Sequence, residues 1–222
     1  MWIHPLNDAA LQQSVTRSER VYLPLRSLAE RLCVLLLLIP MSLVLFSLMI
    51  WIRLDSRGPA VFKQTRAGRH GKPFQLYKFR TMRTDVDPFG ESPQSGQDPR
   101  ITRAGRWLRE WSLDELPQLV NVLLGHMSLI GPRPLYVQQM AEWNDRQRLR
   151  LLVKPGLTGL AQVSGRGALT IEEKLELDVR YVETIGPVTD LKILCRTLLG
   201  VFKRADIYEV RYSKDRERRG NG

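Results

Sequence analysis

The chain has 222 residues, enough for one compact domain with attached segments, and 43% of them are hydrophobic, so a core can form without disulfides. Its two cysteines, Cys33 and Cys195, lie far apart and outside any C-x-x-C pair, which excludes a disulfide framework and argues against a thiolate metal site. The formal net charge of +11 indicates an anionic partner. Charge alone leaves open whether this is nucleic acid, a membrane surface or a phosphorylated substrate.

The first predicted element is an uncharged apolar segment from Leu32 to Ile52. Fourteen of its 21 residues are Leu, Ile, Val or Phe, which near the bilayer centre favour insertion by roughly 4 to 8 kcal/mol in total. We therefore predict a membrane-embedded helix over residues 32–52, preceded by an N-terminal segment over residues 1–31.

The flanks of this segment bear on its topology. Basic residues precede it at Arg17, Arg20, Arg26 and Arg31, and follow it at Arg53, Arg57, Lys63, Arg66 and Arg69. The positive-inside rule therefore places both ends in the cytoplasm. Pro40 favours a bend because it lacks an N–H, and Ser42 could satisfy a freed carbonyl there. A re-entrant hairpin bent near Pro40 and Ser42 and an ordinary kinked transmembrane helix both remain open.

Residues 53–212 are predicted to form the cytoplasmic catalytic domain, with a charged tail over residues 213–222. Short aromatic and β-branched runs at 59–64 and 73–79, separated by glycines and arginines, predict a β-hairpin. Residues 84–100 are rich in Pro, Gly, Ser and acids without periodicity, so we predict a long mobile loop. The expected fold class is α+β, mainly helical and membrane-associated.

Two later segments have an amphipathic composition. In residues 103–111, Trp107, Leu108 and Trp111 share a helical face with arginines nearby, which is typical of an interfacial helix. In residues 191–202, apolar residues recur at helical spacing between basic ones. For this second helix, core packing and membrane contact are both open.

Adjacent carboxylates, Asp114 and Glu115, begin the apolar segment SLDELPQL. A carboxylate at a helix N-terminus is favoured in its ionised form, which can attack phosphorus, while either carboxylate can coordinate Mg²⁺. The competing interpretation is structural, because Ser112 and Glu115 have the spacing of a capping box. Pro117 instead favours a helix capped at Asp114.

Two loop segments contain candidate ligand-binding residues. MSLIGPRP at 127–134 predicts a rigid turn that presents Arg133, which suits bidentate phosphate recognition. A Pro-rich loop with a solvated Arg is the alternative. KPGLTGLAQVSGR at 154–166 supplies glycines and polar groups for a nucleotide, but it matches neither the P-loop nor the dinucleotide fingerprint. Asp85 and Asp87 have D-x-D spacing but lie in a polar loop beside Pro88, which disfavours a glycosyltransferase metal motif.

Five ordered blocks, LYKFRTM (76–82), DPRITRAGRWLR (98–109), SLDELPQL (112–119), MSLIGPRP and KPGLTGLAQVSGR, follow the apolar segment. Together they resemble the bacterial sugar transferases, specifically the monotopic phosphoglycosyl transferases of the undecaprenyl-phosphate hexose-1-phosphate transferase type. The resemblance implies a membrane enzyme at the cytoplasmic face of the bacterial inner membrane. Its reaction would move a sugar 1-phosphate from a UDP-sugar to polyprenyl phosphate and release UMP, as the first membrane step of glycan assembly.

The resemblance also implies roles for particular residues. Asp114 would be the covalent nucleophile, and Glu115 would hold Mg²⁺ with Asp114 or activate the lipid phosphate. Residues implied to contact the substrate phosphates are Arg109 and Arg133, with Lys78 and Arg80 in support. Residues predicted to contact the nucleotide are Gly131, Pro132, Gln162 and Arg166.

The chain departs from the family pattern where the membrane helix begins. The family usually has Lys-Arg-x-x-Asp there, whereas this chain has Arg-Ser-Leu-Ala-Glu from Arg26 to Glu30, so different side chains are available to stabilise the hairpin. The expected partners are a UDP-sugar, polyprenyl phosphate and the membrane, without nucleic acid, and a homo-oligomer remains open. The rival function is a catalytically silent, membrane-tethered basic binding protein. The intact Asp114–Glu115 pair argues against it, and the sequence leaves the sugar unspecified.

Overall fold

The computed structural model describes residues 17–86, 93 and 95–203. Helices and strands follow in the order α1 (Arg17–Asp55), β1 (Val61–Ala67), β2 (Pro73–Phe79), α2 (Arg103–Glu110), α3 (Gln118–Leu123), β3 (Ser128–Ile130), α4 (Asp145–Arg148), β4 (Gly156–Thr158), α5 (Leu160–Ser164), α6 (Ile171–Glu183) and α7 (Pro187–Lys203). The predicted α+β, mainly helical class is confirmed. Residues 1–16, the charged tail 213–222 and residues 87–92 of the predicted loop lie outside the described residues.

Helix α1 is longer than the apolar segment that it contains. It is helical through Pro24 and Pro40, and the Ser42 hydroxyl donates to the carbonyl of Ile39, the residue before Pro40, at 2.7 Å. Among the described residues it is the one helix long and apolar enough to cross a membrane, and 11% of its most apolar window is buried within the protein. A core helix of a soluble protein would be mostly buried, so this helix exposes its apolar surface.

One face of α1 packs along the rest of the protein. Residues at alternating spacings of three and four are buried or half-buried, namely Val34, Leu38, Met41, Leu45, Leu48 and Ile52, as expected for one face of a helix. Val34 lies in a core cluster with Phe74, whereas Ile52 lies in another with Phe79 and Leu108. Both ends of the apolar segment therefore contact the same domain.

The predicted β-hairpin is confirmed. Strands β1 and β2 pair antiparallel with Val61 opposite Phe79. The fully buried Asn121 of α3 fastens this hairpin to the helix, because its Nδ2 donates to the Gln75 carbonyl at 2.7 Å and its Oδ1 accepts from the Tyr77 N–H at 3.0 Å. The middle of β2 is thereby held against α3.

A buried polar cluster fastens the first part of α1 to the C-terminal half of the chain. Arg26 Nη1 lies 2.6 Å from Asp190 Oδ2 on α7, and Arg26 Nη2 donates to the Ile130 carbonyl of β3 at 2.7 Å. Arg26 Nε also lies 3.2 Å from Glu30. Arg26 and Glu30, two of the three residues that depart from the family pattern, thus form an ion pair, and both contact β3.

The helix over residues 191–202 does not use its apolar stripe for core packing. Helix α7 buries Asp190 and Ile193, whereas Leu191 and Leu198 are 62% and 64% exposed. The core-packing interpretation of this stripe is therefore wrong, and the stripe forms an exposed apolar surface.

Helix α2 divides the apolar residues that were predicted to share one face. Leu108 is fully buried in the cluster with Ile52, whereas Trp107 is 40% exposed. The Trp107 ring packs edge-on against Trp51 of α1, with 5.3 Å between ring centroids. The outer side of α2 thus continues the exposed apolar surface of α1.

Candidate active site

The two carboxylates lie in a tight turn between α2 and α3. Asp114 and Glu115 belong to a 3₁₀ turn over Leu113–Glu115, which the chain enters through Ser112 with φ 55°. Ser112 makes no capping hydrogen bond, and Pro117 is the residue that precedes the first turn of α3. Both predicted caps, at Ser112 and at Asp114, are therefore wrong, because the left-handed conformation of Ser112 turns the chain before a longer helix can begin.

Glu115 accepts hydrogen bonds from two cations. Lys78 Nζ, at the end of β2, lies 3.0 Å from Glu115 Oε1, and Arg133 Nη2 lies 2.8 Å from the same oxygen. Burial would raise the pKa of the Glu115 carboxyl, but Arg133 and Lys78 outweigh it and hold that pKa well below its usual range. Glu115 is therefore a carboxylate at neutral pH.

Asp114 has a different environment. Burial raises the pKa of the Asp114 carboxyl, and the Glu115 carboxylate adds to the rise, while Lys78, Arg109 and Arg133 oppose it. Since α3 begins only at Gln118, the predicted stabilisation by a helix N-terminus does not apply here. The pKa of Asp114 is raised on balance, because burial outweighs the three cations that favour its ionised form.

Arg109 is positioned by the end of the hairpin. Its Nε donates to the Thr81 hydroxyl at 2.8 Å, and Thr102 caps α2 by accepting from the Gly105 N–H at 2.9 Å. A Cβ at Gly105 would lie 2.0 Å from the Thr81 carbonyl oxygen, so glycine allows α2 to contact the chain after β2. Sequence reasoning missed Thr81, whose only signal is its position directly after Arg80 in the LYKFRTM block.

Arg80 is used differently from Lys78. It is 6% exposed, and its guanidinium donates to the carbonyls of Ser56 at 2.6 Å and Arg57 at 2.7 Å. These carbonyls follow the last turn of α1, so Arg80 caps the end of that helix. The phosphate contact predicted for Arg80 is therefore not supported by the structure.

Arg133 lies in the rigid turn that was predicted between two prolines. The turn follows β3, which pairs in parallel with β4, and the Gly156 N–H donates to the Pro132 carbonyl at 2.9 Å. The Arg133 side chain is 45% exposed. Arg133 also lines a small depression with Pro132 and Arg150, and Pro132 itself is buried, so within this turn it is the Arg133 side chain that faces solvent.

The glycines at 127–134 and 154–166 allow the backbones of these two segments to pack closely against each other. A Cβ at Gly131 would lie 2.5 Å from the Lys154 carbonyl oxygen, and one at Gly159 would lie 2.1 Å from the Gly131 oxygen. The space at these glycines is thus filled by neighbouring backbone. Nucleotide contact by Gly131 and Pro132 stays a prediction.

Gln162 differs from these glycines because its amide is unsatisfied. Both Nε2 and Oε1 are buried and have no hydrogen-bond partner in the described part of the chain. A buried polar group without a partner costs about 1 to 3 kcal/mol, so the amide is suited to pair with a ligand. Arg166 begins the 3₁₀ turn Arg166–Ala168, and its side chain lies outside what the structure describes.

An additional cation near the site was missed at the level of sequence. The Arg66 guanidinium lies 3.5 Å from the centroid of the Tyr136 ring, and the Tyr136 hydroxyl accepts from Gln64 Nε2 at 2.8 Å. Burial lowers the pKa of Arg66 to about 10, partly offset by Tyr136, and Arg133 lowers it further. Arg66 and Tyr136 meet through an isolated β-bridge, which no local sequence pattern reveals.

The carboxylate pair is the best candidate for binding a cation. The described residues contain no group of three or more metal-binding side chains. Magnesium is often bound by one or two carboxylates together with substrate phosphates, so Asp114 and Glu115 fit a cation that binds with a diphosphate. Asp85, from the disfavoured D-x-D pair, is exposed and bonded to Arg83 at 2.6 Å, and Asp87 lies outside the described residues.

Paired carboxylates with Lys78, Arg109 and Arg133 around them are suited to bind phosphate groups, as in enzymes that transfer them. Residues 21–204 match the model of the bacterial sugar transferase family. The chain therefore belongs to this family, and the predicted class of enzyme, a phosphoglycosyl transferase, is confirmed.

Individual relatives support this assignment. The chain is 44% identical over 180 residues to the uncharacterized sugar transferase EpsL of Bacillus subtilis, covering 81% of this chain and 88% of that protein. It is 42% identical to the exopolysaccharide production protein PSS of Rhizobium leguminosarum, covering 69% of this chain and 82% of that protein. Identity to the UDP-glucose:undecaprenyl-phosphate glucose-1-phosphate transferase of Escherichia coli is 39%, covering 78% of this chain but 39% of that protein.

Proposed function

We propose that the protein transfers a sugar 1-phosphate from a UDP-sugar to undecaprenyl phosphate, with Asp114 as the covalent nucleophile. This proposal rests on one observation: Asp114 and Glu115 lie in the same turn, and Glu115 contacts both Lys78 and Arg133. The substrates are those named for the Escherichia coli relative and for the undecaprenyl-phosphate galactose phosphotransferase of Salmonella typhimurium.

In the first half-reaction, an Asp114 carboxylate oxygen attacks the phosphorus that bears the sugar. The bond from that phosphorus to the oxygen of UMP breaks, and UMP leaves with the electron pair. In the second half-reaction, an oxygen of the lipid phosphate attacks the same phosphorus and the Asp114 carboxylate leaves. Arg109, Arg133 and Lys78 neutralise the negative charge that develops on the phosphoryl oxygens.

Glu115 is proposed to organise charge rather than to accept a proton. The pKa of its carboxyl is held well below the usual range by Arg133 and Lys78, and a general base works best when its pKa lies near the operating pH. Asp114 and Glu115 would hold Mg²⁺ together with the diphosphate oxygens, and the cation would supply further neutralisation of the transferring group.

The membrane topology proposed for α1 is re-entrant, at the cytoplasmic face of the inner membrane. Val34 and Ile52 are separated by about 27 Å along a straight helix, close to the bilayer's apolar thickness of about 30 Å. Both nevertheless pack against the same domain. A full span would carry this highly charged domain into the bilayer, whereas a shallow or bent helix near Pro40 and Ser42 keeps it in water.

The nucleophile is tested with purified full-length protein in detergent. Incubation with a panel of UDP-sugars and Mg²⁺, without lipid, should release about one UMP per protein and leave a phosphosugar adduct on Asp114 detectable by mass spectrometry. Asp114→Asn should abolish both, whereas Asp145→Asn, an exposed carboxylate on α4, should keep both. An unchanged UMP burst in Asp114→Asn would refute the nucleophile assignment.

Topology is tested by cysteine labelling. Both native cysteines are exposed, so Cys33→Ser and Cys195→Ser provide the background, and Ala29→Cys or Arg57→Cys adds one thiol beside either end of the apolar segment. Membrane-impermeant maleimide should label both positions in inverted inner-membrane vesicles and neither in intact spheroplasts. Labelling of the two positions from opposite sides would refute the re-entrant topology.

A further inference from the structure

A buried ion pair lies behind the turn that presents Arg133. Arg150, in the 3₁₀ turn Leu149–Leu152, donates to Asp178 Oδ2 of α6 through Nε at 3.1 Å and through Nη2 at 2.7 Å. Both side chains are 3% exposed. The Arg150 guanidinium also lies 4.9 Å from the centroid of the Trp143 ring, so its plane is held from two directions.

One hydrogen bond connects this pair to the active site. Arg150 Nη2 donates to the main-chain carbonyl of Arg133 at 2.5 Å, and the Arg133 guanidinium donates to Glu115 Oε1 at 2.8 Å. Asp178 on α6 is therefore connected to Glu115 through Arg150 and through Arg133, whose main chain and guanidinium make the two remaining contacts. Arg150 contacts only the backbone of Arg133, so its influence on the site passes through the position of that residue.

Stability alone does not account for this arrangement. A buried ion pair is often no more stabilising than apolar residues of similar size, because both charges lose their hydration. Asp178 Oδ1 is moreover buried with no hydrogen-bond partner in the described ranges. The same part of the chain is already tied to α6 by Arg146, which contacts Glu176 at 2.7 Å and Glu183 at 2.9 Å.

We propose that Arg150 and Asp178 are positioning residues that hold the backbone of Arg133 so that its guanidinium meets Glu115 and the transferring phosphate. This inference rests on the proposed function of the same site. Arg133 follows Pro132 and precedes Pro134, so its backbone has few alternative conformations, and the bond from Arg150 selects among them. Arg150 and Asp178 themselves do not touch the substrate.

The first test replaces the ion pair by apolar residues of similar size, Arg150→Met with Asp178→Leu. The melting temperature in detergent should stay within about 4 °C of the wild type, while the rate of UMP release falls roughly 10- to 100-fold. The matched control, Arg146→Gln with Glu176→Gln, breaks an exposed pair between the same regions and should leave the rate unchanged. A wild-type rate in the apolar variant would overturn the proposal.

Arg150→Lys provides a second variant that keeps the charge beside Asp178. Lysine lacks the planar fork that lets arginine bond to Asp178 and to the Arg133 carbonyl together. UMP release should therefore fall in this variant as well, with a folded protein by circular dichroism. Full activity of Arg150→Lys would contradict the positioning role, even if the double variant failed to fold.

A double-mutant cycle separates positioning from general support of the fold. If Arg150 and Asp178 act through Arg133, adding their apolar replacement to Arg133→Ala should slow UMP release no further than Arg133→Ala alone. If the two losses multiply, the pair acts elsewhere and the proposal fails. Failure of the proposed function looks different, because the wild-type protein itself would then release no UMP from any UDP-sugar.

Discussion

Two cationic regions adjoin the end of β2, and they show how burial and the type of acceptor decide what a cation can do. At the carboxylate turn, Lys78 and Arg133 contact Glu115 while their side chains stay 20% and 45% exposed. At the end of α1, Arg80 is buried and its guanidinium is occupied by main-chain carbonyls. The first region is open to a phosphate, whereas the second stabilises the junction between α1 and the hairpin.

The largest expected effect is on activity at the open region. Arg133→Ala should reduce UMP release roughly 100- to 1,000-fold, because it removes a donor that is proposed to contact the transferring phosphate. The melting temperature should change little, since the side chain is nearly half exposed. Single-turnover assays with saturating UDP-sugar measure this. A loss below about tenfold would mean that Arg133 does not contact the reacting phosphate.

At the end of α1, removing the charged group of Arg80 should affect stability rather than activity. Arg80→Met leaves the Ser56 and Arg57 carbonyls without their donor, which should lower the free energy of unfolding by about 2 to 4 kcal/mol. Activity per folded molecule should change less than about threefold. Urea titration in micelles measures the free energy of unfolding, and UMP release measures the activity.

Gly58→Ala is a matched variant for this region. A Cβ at Gly58 would lie 2.2 Å from Arg80 Nη1, and Gly58 has φ +118°, so alanine should displace Arg80 and destabilise the protein in a similar way. A large loss of activity in stable Arg80→Met protein would contradict the comparison and restore Arg80 to the phosphate-binding group.

Within the open region, Lys78 should matter less than Arg133. Lys78→Met leaves Arg133 in place to hold Glu115 ionised, so UMP release should fall roughly tenfold, equivalent to about 1.4 kcal/mol. The double variant Lys78→Met with Arg133→Ala tests whether the two cations share this task. Strictly multiplicative losses would show that the two cations act independently of each other and do not share the task of holding Glu115.

The smallest effect is expected at Gln162. Replacing its amide should make the protein more stable but weaken its binding of the UDP-sugar. Gln162→Leu removes a buried amide without a partner, so the free energy of unfolding should rise by about 1 kcal/mol. If the amide pairs with the nucleotide, KM for the UDP-sugar should rise roughly tenfold. A destabilised variant with an unchanged KM would show that the amide serves the fold.

Local patterns predicted the parts of this protein that depend on neighbouring residues. The apolar segment around Pro40, the β-hairpin that ends near Lys78 and the carboxylates Asp114 and Glu115 were all visible, because period, turn residues and block order lie within short stretches of chain. The start of α3 was misplaced, since the positive φ of Ser112 has no sequence marker in a non-glycine residue.

Residues that act through partners far along the chain were missed or misassigned. Asp178 lies between Leu177 and Val179 in a helix that also contains Glu176 and Arg180, so nothing local singles it out. Arg150 stands among Leu149, Leu151 and Leu152, as a charge in an apolar run. That pattern signals a buried charge that needs a partner, but it does not say which partner.

By itself, then, the sequence determined the family, the apolar segment and the pair of carboxylates, since these follow from composition, order and short-range periodicity. Only the tertiary structure decided that Lys78 contacts Glu115 while Arg80, two residues later, caps α1, and that Arg150 holds the backbone of Arg133. The physical reason is that a long cationic side chain can reach many acceptors. Which one it bonds to depends on what the folded chain brings within about 3 Å.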